Sequence, residues 1–175
     1  NVTDSYNTAI GNASMQGSNG AVGSTAVGSS SLNGATTGDY NTAVGFNAGL
    51  VMTSGNRNVA VGSTSLDACT TGQYNVAVGN SALGSVIGGD YNTAIGTNVG
   101  AAVTTGDNNT FVGGLAGDAT TTADNNTAVG YQSLSANTTG TDNVAVGKGA
   151  LQASTTSDNN TAVGTASLGD TTTGA

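Results

Sequence analysis

A five-residue phrase, Asn-Thr-Ala-Val-Gly at Asn41 to Gly45, returns at one fixed interval and leaves the chain few ways to fold. Its first residue falls at Asn7, Ser24, Asn41, Asn58, Asn75, Asn92, Asn109, Asn126, Asn143 and Asn160, ten evenly spaced copies without a slip. A short fixed period over the whole length marks a solenoid, in which each unit buries its apolar face only against its neighbours. The expected fold is all-β: a parallel β-solenoid, or β-roll, of about ten 17-residue turns, forming one array over residues 1–175. Residues 1–6 read as the end of a preceding turn and 171–175 as the start of another. The chain is therefore expected to be a segment of a longer fibre.

Within the phrase the fourth place is always Val or Ile, the second is Thr or Val, and Ala stands between them except at Phe111. Alternation of period two with β-branched residues predicts a short strand. The expected core is its β-branched side, Val44, Val61, Val78, Ile95, Val112, Val129, Val146 and Val163, with the Ala stripe facing outward. The fifth place is Gly in every copy, and Gly45, Gly62, Gly79, Gly96, Gly113, Gly130, Gly147 and Gly164 are expected at corners of positive φ. Four residues further on stand Met15, Leu32, Leu66, Leu83, Leu134, Leu151 and Leu168, which predict a second strand in each turn. Gly49, Gly100 and Gly117 interrupt that row, with Leu50 and Ala101 expected to compensate. An off-phase echo of the phrase, Asn19-Gly20-Ala21-Val22-Gly23, predicts a bulge or register change in the second repeat. Parallel turns about 4.8 Å apart make a rod on the order of 48 Å long. Two large apolar side chains per turn are a thin core, so the outward Ala stripe is expected to seat neighbouring rolls.

The phrase, followed after two residues by Ala or Ser and then Leu, resembles the head repeat of trimeric autotransporter adhesins and related repeats of phage tail fibres and other surface fibres. The resemblance runs from residue 7 to 168. It implies a left-handed parallel β-roll, three chains side by side, on a bacterial cell surface or a virion fibre. The period of this chain is longer than that family's usual turn, the excess lying in corners such as Thr36-Thr37-Gly38-Asp39. The function expected from it is structural and adhesive, attachment to a surface or host, with a host glycan or matrix protein as partner beside the homotrimer. Two alternatives stand next to it: a self-assembling extracellular filament without a receptor, and an ice-binding solenoid using Thr ladders.

Composition narrows the chemistry. The net charge is −8, every acid is Asp, and Arg57 and Lys148 are the only cations. That leaves no basic footprint for nucleic acid or an anionic membrane surface. No apolar run approaches the roughly 20 residues of a membrane-spanning helix, so no membrane insertion is expected. There is no His and no Glu, and Cys69 has no His to activate it, so the chain is not expected to be an enzyme. Cys69 stands in line with Ala35, Met52, Val86 and Val103 and reads as a small core filler.

Four columns remain as candidate sites. Asn41, Asn58, Asn75, Asn92, Asn109, Asn126, Asn143 and Asn160 are expected to form a structural amide ladder. Asp90, Asp107 and Asp124 occupy one corner on consecutive turns and are candidates for Ca²⁺, although no cofactor is otherwise implied. Tyr40, Arg57, Tyr74 and Tyr91 share a column, with Arg57 placed for cation–π contacts; it is either a surface brace or the rim of a ligand patch. Thr pairs recur at Thr36-Thr37, Thr70-Thr71, Thr104-Thr105, Thr121-Thr122, Thr138-Thr139 and Thr155-Thr156, broken by Ile87-Gly88. Glycosylation sequons at Asn1, Asn12, Asn108, Asn125, Asn137 and Asn159 follow from an Asn- and Thr-rich composition.

Overall fold

A computed structural model describes residues 5–35 and 37–170. Asn1, Thr36 and the partial repeat at 171–175 lie outside the described residues. Each repeat contributes one three-residue strand: β1 (Thr8–Ile10), β2 (Thr25–Val27), β3 (Thr42–Val44), β4 (Val59–Val61), β5 (Val76–Val78), β6 (Thr93–Ile95), β7 (Thr110–Val112), β8 (Thr127–Val129), β9 (Val144–Val146) and β10 (Thr161–Val163). They form one parallel sheet in sequence order. Each residue pairs with its equivalent one repeat away, as in Val78↔Ile95 and Phe111↔Ala128. Nine steps of about 4.8 Å separate the first strand from the last, about 43 Å in all.

The register is unbroken through the second repeat. Thr8 pairs with Thr25, and an isolated bridge joins Ser5 to Val22 at the same spacing. The expected bulge is therefore absent: the off-phase echo buries Ala21 and leaves the strand in phase.

Two expectations are corrected. The first concerns the faces of the strand. Ala26, Ala43, Ala60, Ala77, Ala94, Phe111, Ala128, Ala145 and Ala162 are buried, and the β-branched residues on either side of each point outward. Val44, Ile95, Val129 and Val163 are exposed, and Val61, Val78, Val112 and Val146 are half-buried, so none of the eight belongs to the core. The reason lies two residues earlier in the phrase. The second and fourth places share one face, and the second is Thr in seven of ten copies. Turning that face inward would bury a hydroxyl in most turns, whereas the Ala face carries no polar atom into the core.

The second correction concerns the opposite wall, which is not a strand. Leu32, Leu66, Leu83, Leu134 and Leu151 are buried as expected, but at φ between 47° and 54°, and the residues two before them, Ser30, Thr64, Ser81, Gln132 and Gly149, also have positive φ. Such a chain is tightly coiled rather than extended. Its amides still bond from turn to turn: Leu83 donates to the Val99 carbonyl at 3.0 Å and Ser81 to Ser63 at 3.0 Å. The wall is thus tied along the axis without regular strand geometry.

At the corners, the glycines after each strand lie at φ 124–143°. A Cβ on Gly79 would stand 2.1 Å from the Gly96 carbonyl oxygen. Both the dihedral and the close passage of the next turn exclude any side chain there.

Core volume is conserved by exchange between columns. A Cβ on Gly117 would meet the Phe111 ring at 2.7 Å, and one on Gly100 would meet it at 3.0 Å. Phe111, the one large residue in the Ala column, fills the space that Leu vacates at Gly117 and shares that at Gly100 with Leu83. At Gly49 the space is taken by Leu32 and Met52, whose Cδ2 and Cε lie 2.9 and 3.3 Å from a Cβ built there. Leu50 and Ala101 are only half-buried and do not supply the compensation expected of them.

Candidate interaction surface and its ladders

The outward strand face is a pair of columns running the length of the roll. Thr or Val stands on one and Val or Ile on the other, all twenty β-branched and uncharged across ten strands. Val44 and Ile95 are 37% and 43% exposed, high for side chains in the middle of a sheet. Beyond the Gly corner the next column carries Phe46 and Tyr131, both exposed, among polar residues and Lys148. The described acids lie elsewhere, at the corner before the Asn column and at Asp67, Asp118 and Asp170 past the Leu wall. A long, charge-free sheet face is the kind of surface that natural proteins cover with a partner or interrupt with charge.

The Asn column is the main polar element of the interior. Asn58, Asn75, Asn92, Asn109, Asn126 and Asn143 are fully buried. In each turn from Asn41 to Asn143 the side-chain N–H donates to a carbonyl fourteen residues ahead, as from Asn92 to Gly106 at 2.7 Å. The side-chain carbonyl accepts the backbone N–H of the next Asn at 2.9–3.0 Å and its amide at 3.0–3.3 Å. One residue type thus satisfies a donor and an acceptor of the corner backbone and links itself to the next turn. Ser24 takes the same place and accepts the Asn41 N–H through its hydroxyl at 3.1 Å.

The Asp corner is occupied by the backbone. Oδ1 of Asp39, Asp90, Asp107, Asp124 and Asp158 accepts the N–H of Val22, Gln73, Asp90, Asp107 and Thr141 respectively, at 2.7–2.8 Å. Asn56 does the same for Asp39 at 2.7 Å. The row Asp90, Asp107 and Asp124 is a chain of carboxylates that each hold the turn before, and no group of three or more His, Cys, Asp or Glu among the described residues is placed to hold a metal ion. Sequence reasoning missed this backbone role, although Asn56 at an equivalent position pointed to it, because Asn and Asp share the acceptor oxygen but not the charge.

The Thr corner is tied in the same direction. The hydroxyls of Thr70, Thr104, Thr121 and Thr138 donate to carbonyls of the next turn at 3.0–3.2 Å, while their neighbours Thr71, Thr105, Thr122 and Thr139 stand exposed. Of the sequon residues, Asn137 is buried and bonded to Gly140, while Asn12, Asn108, Asn125 and Asn159 are exposed.

Tyr40, Arg57, Tyr74 and Tyr91 do form one stack. The Arg57 guanidinium carbon lies 5.4 Å from the Tyr40 ring centre and 5.5 Å from that of Tyr74, with Nη1 donating to the Tyr74 hydroxyl at 3.0 Å. Tyr74 and Tyr91 are parallel within 3° at 4.8 Å. All four have φ of 56–58°. That conformation costs a side chain with a Cβ about 1–2 kcal/mol, and least for Asn and Gly. Gly23 precedes them in the column and Asn108 and Asn125 follow, the residues that tolerate it best. Stacking of the long planar side chains offsets the conformational cost.

Cys69 is buried with its Sγ 3.7 Å from the Gly72 carbonyl, and burial pushes its pKa up to about 11. The thiol is expected to resist a disulfide reagent at pH 8 until the roll unfolds, which a release assay with and without denaturant reads directly. A raised pKa in the folded state means that the neutral thiol is the stabilising form, so its contribution is complete below about pH 9 and lost as pH rises toward 11. Asp67 and Asp118 are also pushed up, chiefly by desolvation, and Asp118 Oδ1 has no hydrogen-bond partner among the described residues.

Fold and surface together define a single-chain parallel β-solenoid with one uncharged sheet face outward. Comparison with family models, curated proteins and solved structures gives no match. No helix among the described residues is long and apolar enough to cross a membrane.

Proposed function

We propose that this chain is a rigid segment of an extracellular fibre, in which several rolls lie side by side and present repeated polar ladders for attachment to a surface or host. The observation that carries this reading is the outward β-branched face, uncharged along all ten strands. Because the pitch is the same in every turn, any strand of one roll meets an equivalent strand of another, and the self-complementarity is repeated along the axis. The acids lie off this face, so its closure brings no carboxylates into contact. This face takes the part first expected of the Ala stripe, which is spent on the roll's own core. The likeness of the phrase to trimeric adhesin heads and phage fibres supports three rolls as the number. Attachment is then multivalent: weak contacts repeated along and around the rod add through effective concentration.

Small-angle scattering tests the arrangement. Side-by-side association keeps a rod length of about 43 Å while widening the cross-section. A single-roll cross-section with a lengthened rod would instead support the end-to-end filament, and a single roll in both dimensions would overturn self-association.

A further inference from the structure

We propose that the outer face of the Tyr91 ring is a binding site for a guanidinium cation, carried by an arginine side chain of a partner. The site follows from how the column stops. Tyr74 is stacked on both sides, by Arg57 above and Tyr91 below, and is 39% exposed. Tyr91 has a ring on one side only, the next residue in its column being Asn108, and it is 56% exposed. The stack thus ends on an aromatic face that nothing of equal size covers.

The chain itself shows which group fits such a face at this pitch. Arg57 fills the slot between Tyr40 and Tyr74, at cation–π distance from both rings and bonded to the Tyr74 hydroxyl. A second guanidinium on Tyr91 would repeat that contact one step further along the axis. The neighbouring charges favour a cation over a neutral ring. Asp39 precedes Tyr40 beside the internal guanidinium, and Asp90 precedes Tyr91 in the same way, its Oδ1 turned back to the Gln73 N–H at 2.7 Å. The Asp107 carboxylate lies 2.7 Å from the Asp90 amide nitrogen. The Asp107 carboxylate thus reaches the turn of Tyr91 from its open side, and Arg57, the one arginine of the chain, is already engaged two turns away. A planar cation gains from ring and carboxylate together, whereas a sugar would use only the ring face and hydroxyl contacts.

Tyr91 stands outside β6, two residues before its first outward residue, Thr93, so the variant below is checked for assembly as well as for binding. The test is a titration with L-argininamide followed by chemical shifts of the Asp90, Tyr91 and Asn108 signals. Expected is a saturating shift confined to these residues. Affinity should fall about 2–5-fold in Tyr91→Asn, the range of an exposed cation–π contact. That variant should keep the fold, because Asn108, Asn125 and Asn159 hold the same column position at φ 59°. Its solution mass should equal that of the parent, which separates loss of this site from loss of assembly. A non-saturating shift, one shared equally with Asp67 and Asp118, undiminished affinity in Tyr91→Asn, or tighter saturation by methyl glucoside would each overturn the proposal.

Discussion

Replacing Phe111 with Ala is expected to destabilise the roll by about 3–5 kcal/mol, although the change restores the residue found at that place in the other nine repeats. The surrounding turns are built for the ring. Gly100 and Gly117 have no side chain where neighbouring turns have Leu; Phe111 occupies the space at Gly117 and shares that at Gly100 with Leu83. Removing it leaves a void bounded by two Gly backbones that cannot move in, because their amides are tied to Ala116 and Ser133. The loss should be local: hydrogen exchange should quicken in the turns around β6 to β8 before it does at the ends, as stacked repeats contact only their neighbours. Adding Gly117→Leu to Phe111→Ala should restore at least about 1–2 kcal/mol, because that turn then matches the one at Leu134, which has φ of 54°. Gly117→Leu with Phe111 still present should destabilise, a Cβ there lying 2.7 Å from the ring. Denaturant midpoints of the three variants measure all of this; a compliant core would show additive effects and no rescue.

The second large effect is expected from Asn92→Ala, at about 2–5 kcal/mol. The side chain is fully buried and makes four hydrogen bonds: it donates to the Gly106 carbonyl and to Asn75, and accepts from both the backbone and the side-chain amide of Asn109. Ala leaves the Gly106 oxygen and the Asn109 N–H without side-chain partners in a dry interior, and desolvation of each costs about 1–3 kcal/mol. Asn92→Ser should fall between Asn and Ala. Ser24 shows that a hydroxyl at this place still accepts the next turn's amide at 3.1 Å, but it is too short to repeat the amide's reach to the carbonyl. Thermal unfolding of the pair, followed by circular dichroism, gives the order. Equal stability of Ser and Ala variants would mean that the donor to Gly106, rather than the acceptor, dominates.

What could be read before the structure was the part of the pattern in which one residue type has one job. A Gly that recurs in every copy marks a place without room for Cβ, and Gly79 beside Gly96 is such a place. A fixed Asn before a strand marks a corner that needs both a donor and an acceptor, and the Asn ladder supplies both. Alternation, in contrast, defines two faces without saying which is inner. Size argued for Val and Ile inward; the Thr residues sharing their face argued against it, and the Thr hydroxyls decide because a buried hydroxyl needs a partner in every turn. Phe111 carried the same message. It is large, it sits on the Ala side, and its two Gly partners lie one turn apart on the Leu wall. The coiled conformation of that wall was not legible, because Leu at positive φ runs against its own preference and is held there by the stacked turns on either side.

The most direct measurement is the solution mass of the chain beside that of a variant with Val78→Lys and Val112→Lys, two outward residues on β5 and β7. A single chain weighs 16.6 kDa. Light scattering coupled to size exclusion is expected to give three times that mass for the parent chain and 16.6 kDa for the folded lysine variant. A parent chain of 16.6 kDa at every concentration, or an assembly untouched by two lysines on the strand face, would contradict it.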